Sequence, residues 1–227
     1  MADDNDAIVA IATTADTALK TAQSMGGFIS RFVSVPLEQA AGIFADKLAY
    51  HRFENQIRLQ QRAEQFIRDV GWRGPDRSVQ LKFAVPLLSA ATLEDDSYLQ
   101  DWWARLLVNA ASTQSEVTIQ KSFIDVLSSL SPLDAQVLDI LCRHESETPS
   151  STGWTTRDLP TKVEIWDDEA PRGEAQDPSP EVAIALANLE RLGCISGALL
   201  WNGRKSFRSV TVTFFGEQLL AACSLPE

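Results

Sequence analysis

The sequence predicts a mostly α-helical protein, a multi-helix bundle followed by a small α+β module with a β-hairpin. Apolar residues recur at intervals of three and four over most of the first 142 positions, which is the period of a helix with one buried face. After residue 193 the pattern changes to two strand-like runs around Asn202-Gly203, which is typical of a hairpin. A hydrophobic content of 44% and a charged content of 22% suit a chain that buries a core.

Residues 1–46 form a helical N-terminal region whose role the sequence leaves open. Apolar residues such as Ile8 and Ile11 fall at helical spacing, a Gly-Gly pair at 26–27 breaks the helix, and a further helix starts after Pro36. The region is either an ordinary packed helix pair or an amphipathic segment that lies on a membrane or exchanges between subunits. Its scarcity of basic residues weighs against the membrane interpretation.

A central helical domain is predicted over residues 47–130, and it begins with a long polar helix. Basic residues outnumber acidic ones between Lys47 and Lys82, although the whole chain carries a net charge of −11. That net charge argues against broad, nonspecific nucleic-acid binding, because phosphate contacts need Lys and Arg. We expect the polar face of this helix to be solvated, or to bind an acidic partner or a phosphate surface. The candidate interaction residues on it are Arg52, Asn55, Arg58 and Arg62.

Two helix starts stand out in the central part of the chain. Ser97 and Gln100 have the spacing of a capping box, and they precede a helix that contains Trp102 and Trp103. Because adjacent residues point about 100° apart on a helix, we expect one Trp in the core and the other near its edge. The segment 131–134, Ser-Pro-Leu-Asp, predicts a second start, with a Ser cap, a Pro at the first position and an acid in the first turn.

The chain offers no familiar catalytic or metal-binding pattern, so we expect no enzyme activity, no cofactor and no metal. The cysteines are widely spaced among apolar neighbours, which favours buried free thiols in a reducing cytoplasm. The acidic run 94–96 is interpreted as a solvated loop that favours the start of the following helix, with a cation or basic-partner site as the alternative. The two histidines, His51 and His144, lie far apart in the sequence.

Residues 131–227 are predicted to form the terminal α+β module, with an acidic loop around 145–180. Pro180 opens a helix that Gly193 closes, and the turn LERLGCI leads into the hairpin. Over about residues 131–223 this order resembles a winged helix-turn-helix. The wing of such a fold touches phosphates, and its candidates here are Arg204, Lys205 and Arg208. The Ala and Leu content of the third helix favours a protein partner over DNA.

Three landmarks in a fixed order carry a family resemblance over about residues 42–142. They are ADKLAYHRFENQIRL, AVPLLSAATLEDDSYLQDWWARLLVNA and SFIDVLSSLSPLDAQVLDIL. This order resembles the Abi-alpha family of bacterial proteins, which is linked to abortive infection and phage resistance. The resemblance implies a cytoplasmic anti-phage protein that acts through a protein partner (self, host or phage), as a homo-oligomer, or by peripheral membrane contact through residues 1–45. The alternative is a winged-helix DNA-binding transcriptional regulator.

Overall fold

Seven helices and a three-stranded antiparallel sheet make up the part of the chain that the structure describes. The structure is a computed structural model, and it describes residues 27, 31–32, 50–147, 153–166, 177–199 and 205–225, with backbone alone at 50–53 and 146–147. The mostly helical prediction is confirmed. The elements are α1 (Tyr50–Asp69), α2 (Leu81–Ala91), α3 (Ser97–Ala110), α4 (Lys121–Leu127), α5 (Pro132–Glu147), β1 (Trp154–Thr155), α6 (Pro180–Arg191), β2 (Ile195–Leu199), β3 (Lys205–Val212) and α7 (Phe214–Ala222).

Helix α3 lies at the centre of the helical part and contacts α1, α2, α5 and α7. Trp102 and Trp103 are both only 1% exposed, so the expectation that one of them lies near the edge of the core is wrong. Other helices pack against α3 on several sides, whereas the single-stripe pattern assumes that one face of the helix is exposed to solvent. A helix that is apolar around most of its circumference is a buried helix.

The start of α3 differs by one residue from the predicted capping box. The N-cap is Asp96, whose carboxylate accepts hydrogen bonds from the backbone N–H groups of Tyr98 and Leu99. Gln100 does not reach back to the cap and instead donates from Nε2 to the Glu94 carbonyl and to Asn55. An ionised Asp suits this position, because it also interacts with the positive end of the helix dipole.

Most of the predicted N-terminal region, 1–46, lies outside the described residues, as do the interpretations that depend on it. Its described part includes Phe32, which is 1% exposed within the hydrophobic core, and whose carbonyl accepts a hydrogen bond from Val79 N at 2.8 Å. Arg31 forms an ion pair with Glu64 of α1 at 3.6 Å. The chain is therefore fixed to the core at residues 31–32. Among the described helices, none has the length and hydropathy needed to cross a bilayer.

The sheet has the order β1-β3-β2, with antiparallel pairing on both sides of β3. The predicted hairpin is β2–β3, although Asn202 and Gly203 lie outside the described residues. Strand β1 adds a third strand, in which Trp154 pairs with Val210. The helix before the hairpin begins and ends as the sequence predicts, with Pro180 at its first position and Gly193 at φ +78°, a left-handed conformation that favours glycine.

The C-terminal helix α7 returns to the centre of the molecule, and one hydrophobic cluster includes buried residues from both predicted domains. Asn109 at the end of α3 donates from Nδ2 to the carbonyls of Ala222 at 2.9 Å and Ser224 at 2.7 Å. Thr213 caps the start of α7, and Gly216 lies so close to the Cys194 carbonyl that a Cβ would overlap it.

Candidate interaction surfaces

Asn55, predicted on an exposed face of α1, is buried between α1 and the loop before α3. Its side chain is 4% exposed, and Nδ2 donates to Asp95 Oδ1 at 2.7 Å. Its Oδ1 accepts from Gln100 Nε2 at 3.2 Å. These bonds satisfy the amide inside the protein, which a buried polar group requires. Asn55 therefore holds α1 against α3 and is not available at the surface.

The three arginines of the same predicted face have different environments. Arg62 pairs with Asp101 of α3, and each side chain is less than one-third exposed. Arg58 is exposed and has no ion pair or hydrogen bond within the described part of the chain. Arg52 belongs to α1, but its side chain is not described. The structure therefore brings Asn55 and Arg62 into the contact between α1 and α3, and it leaves Arg58 in solvent.

The acidic run before α3 uses each of its carboxylates within the protein. Glu94 Oε1 accepts from the Asp96 backbone N–H at 3.0 Å, Asp95 accepts from Asn55, and Asp96 caps α3. No group of three or more His, Cys, Asp or Glu residues suited to a metal ion occurs in the described ranges. The run thus organises the start of a helix, which is the first of the two interpretations that the sequence allowed.

The two described cations of the predicted wing both pair with acids. Lys205 Nζ lies 2.6 Å from Glu190 Oε1, and that same oxygen accepts from the Gly197 backbone N–H at 2.9 Å. Arg208 donates to both oxygens of Asp177, at 2.8 and 3.2 Å, and this hydrogen bonding lowers the pKa of Asp177. Arg204 lies outside the described residues. Glu190 also fixes the hairpin to α6, because it contacts both strands.

The three thiols lie inside the protein, as the sequence predicts. Burial, with a smaller contribution from the charge of Asp134, raises the pKa of Cys194 to about 12. Burial also raises the pKa values of Cys142 and Cys223. A thiol that stays protonated at neutral pH is a poor nucleophile, because the thiolate is the reactive form. The three cysteines are therefore packing residues.

An open groove of about 650 Å³ lies between α6 and the turn that joins α4 to α5. Ile184 of α6 is 72% exposed there, and Leu133 of α5 is half-buried beside it. Leu130 and Ala185 form a buried apolar floor. The remaining lining residues are polar or acidic: Ser128, Ser129, Ser131, Asp134, Glu181 and Asn188.

The predicted helix start at 131–134 builds one wall of this groove. Ser131 Oγ accepts from the Asp134 N–H at 3.2 Å, and Asp134 Oδ2 accepts from the Ser131 N–H at 2.7 Å. This is the reciprocal geometry of a capping box, closed by Asp in place of Glu. Asn188 of α6 then donates to Asp134 Oδ2 at 2.8 Å and to the Ser129 carbonyl at 3.2 Å. Short-range capping and one long-range amide thus fix the distance between α5 and α6.

Ile184 is the functional candidate that sequence reasoning missed, although the sequence contains a signal for it. The buried face of α6 consists of Val182, Ala185, Leu186 and Leu189, which have the i, i+3, i+4, i+7 spacing. Ile184 falls outside that stripe, so a large aliphatic side chain points into solvent.

The model of a family described as abortive infection alpha matches residues 54–223. The match extends further toward the C-terminus than the resemblance over about residues 42–142, and it includes the groove, α6 and the sheet. No curated protein and no solved structure matches the chain.

Proposed function

The chain belongs to the abortive infection alpha family, and from this membership we propose that it is an anti-phage defence protein that acts without catalysis, by binding another protein. The observation that carries the binding part is the groove centred on Ile184. A large aliphatic side chain that is 72% exposed beside a second apolar side chain is unfavourable in water. An apolar centre surrounded by polar groups is the arrangement found in protein–protein interfaces.

We further propose that residues 131–227 form a winged-helix-like module. The element order α5, β1, α6, β2, β3 and the sheet order β1-β3-β2 support this assignment. In this arrangement α6 is the helix that a DNA-binding relative would place in the major groove. Its exposed side chains include Glu181, Ile184 and Ala187, which cannot donate to base edges. Arg191, the exposed bidentate donor of this helix, donates to Asn188 Oδ1 on the same helix.

The DNA-binding alternative is less well supported than a protein partner. Exposed ion pairs are weak, so the pairing of Lys205 and Arg208 alone does not prevent phosphate contact. The acids Glu190 and Asp177 would nevertheless lie beside any phosphate that displaced them, and they would repel it. Net charge on this surface is therefore close to balanced, whereas DNA-binding surfaces are strongly positive.

A phage challenge tests the proposed function. The chain is expressed in a susceptible bacterium, and plating efficiency and culture survival are compared at low and high phage multiplicity. We expect protection at low multiplicity and culture collapse at high multiplicity, since abortive infection sacrifices infected cells. No protection across a broad phage panel would contradict the proposal.

Two variants of α6 connect protection to the groove. Ile184→Glu places a charge at the centre of the groove, and we expect it to abolish protection. Ala187→Glu makes the same charge change at an exposed position of the same helix outside the groove lining, and we expect it to protect like the wild type. Equal protection by both variants would show that the groove is not the functional surface. Thermal unfolding of both proteins controls for stability.

A further inference from the structure

We propose that the groove binds a cationic amphipathic helix of a partner protein. An aliphatic side chain of that helix packs against Ile184 and Leu133, and a Lys or Arg side chain lies beside Glu181. This inference rests on the proposed function, because it names the chemistry of the partner that the same groove receives.

The shape of the groove favours a helix over a small molecule. Small-molecule sites enclose most of the surface of their ligand, whereas this groove of about 650 Å³ is open to solvent. Its apolar centre lies between two helices, with Ile184 on α6 and Leu133 on α5. An amphipathic helix fills such a groove with side chains spaced three and four residues apart. The buried Leu130 and Ala185 provide a floor that excludes water beneath the anchoring side chain.

The charges of the groove select a cationic partner. Among the residues that the structure describes, the groove lining contains two acids, Asp134 and Glu181, and no Lys or Arg; Arg191, next to the lining, donates to Asn188 Oδ1. Asp134 is 3% exposed, and its carboxylate is satisfied by Ser131 and Asn188. Glu181 is exposed and has neither an ion pair nor a hydrogen bond among the residues that the structure describes. The start of α6 offsets part of its charge, and the remainder faces the solvent at the rim of the groove.

The same charges disfavour an occupant from this chain. Residues 1–24 contain the helical apolar spacing that the groove needs, but they carry four Asp residues and a single Lys. A second copy of the chain approaches with a net charge of −11. Like charges across an interface cost affinity and suppress wrong partners. A partner of opposite sign therefore fits this surface better than the protein itself does.

Selection from random peptides tests this chemistry directly and does not depend on infection. The full-length chain is immobilised and presented with an mRNA-display library of random 15-residue peptides, with counter-selection on the Ile184→Glu variant. We expect enriched peptides to carry a net positive charge and apolar residues at helical spacing. For a synthesised peptide, Ile184→Glu should weaken binding by about tenfold or more, as for a central interface residue. Glu181→Gln should weaken it about two- to fivefold, as for an exposed ion pair, and Ala187→Glu should not weaken it.

Several results would overturn the inference. They are the absence of enriched peptides, enrichment of acidic or uncharged sequences, or equal binding to the wild type and to Ile184→Glu. Sedimentation that shows a dimer dissociated by Ile184→Glu would identify a second copy as the occupant instead. The two proposals fail separately. Selected cationic peptides together with full protection by Ile184→Glu support this inference and contradict the proposed function of the groove. Loss of protection by Ile184→Glu without selection of cationic peptides supports the proposed function of the groove and contradicts this inference.

Discussion

Replacement of Asn109 by Ala should destabilise the whole protein, because this side chain connects α3 to the end of α7. Asn109 is 2% exposed and donates from Nδ2 to the carbonyls of Ala222 and Ser224. The Ala222 carbonyl is at the end of α7, where a helix carbonyl has no partner within the helix, and Ser224 lies just beyond it; both carbonyls accept from Asn109. A buried polar group without its partner costs about 1–3 kcal/mol. The Ala222 bond is fully buried and the Ser224 bond partly so, which gives a total of about 2–4 kcal/mol.

Thermal unfolding followed by circular dichroism measures this loss. A change of about 2–4 kcal/mol in a chain of this size lowers Tm by roughly 5–15 °C. Asn188→Ala is the comparison, because its Nδ2 also makes two hydrogen bonds, one exposed to the Ser129 carbonyl and one partly buried to Asp134. We expect Asn188→Ala to cost about 1 kcal/mol. Hydrogen exchange should show lost protection in α7 first. An Asn109→Ala protein with the wild-type Tm and unchanged exchange in α7 would refute the reasoning.

Three further predictions concern a cap, a close approach and a thiol. Asp96→Ala should lower the free energy of unfolding by about 1 kcal/mol, because it removes the N-cap of α3. Ser97→Ala should change it by no more than about 0.5 kcal/mol in urea unfolding. A larger loss for Ser97→Ala than for Asp96→Ala would support the predicted capping box instead. Gly216→Ala should lower the free energy of unfolding by more than the roughly 1 kcal/mol expected for Ala221→Gly, because the Cβ of the new alanine overlaps the Cys194 carbonyl. Equal Tm values for the two variants would contradict that overlap. The pKa of the Cys194 thiol is raised from about 9 to about 12 in the folded protein. Between these two values only the unfolded thiol ionises, so the contribution of this thiol to the free energy of unfolding is fully present below about pH 9 and declines as pH rises toward 12. Urea midpoints of the wild type should therefore fall more steeply over this range than those of Cys194→Ala, and parallel curves would argue against the shift.

Helix boundaries could be predicted from the sequence wherever their determinants lie within a few residues. The Ser131–Asp134 box and the Pro180 start are local features, and the structure has both. The start of α3 shows the limit of such local evidence. Asp96 and Ser97 are adjacent residues that both cap helices well, so the sequence alone does not choose between them. The choice depends on how the preceding loop packs against α1.

The candidate site could be predicted only in part, because its determinants lie far apart in the chain. Asn55 and Arg62 have the spacing of a solvated helix face, but their partners Asp95 and Asp101 are 40 and 39 residues away. No local pattern indicates that pairing, so the predicted interaction face was assigned too many residues. Ile184 shows the opposite case. Its departure from the buried stripe of α6 is visible in the sequence, but the groove beside it exists only once α5 is in place.

The burial of Phe32 changes how the N-terminal region should be tested. Deletion of residues 1–45, the direct test for peripheral membrane contact, would also remove a side chain that is 1% exposed in the core. It would uncover the surface around Val79 and leave that backbone N–H without its acceptor. Newly uncovered apolar surface adsorbs to lipid by itself, so a truncated protein of this kind could gain the property that the deletion is meant to remove. A deletion that ends at residue 26 retains Phe32, and it separates the contribution of the preceding segment from damage to the core.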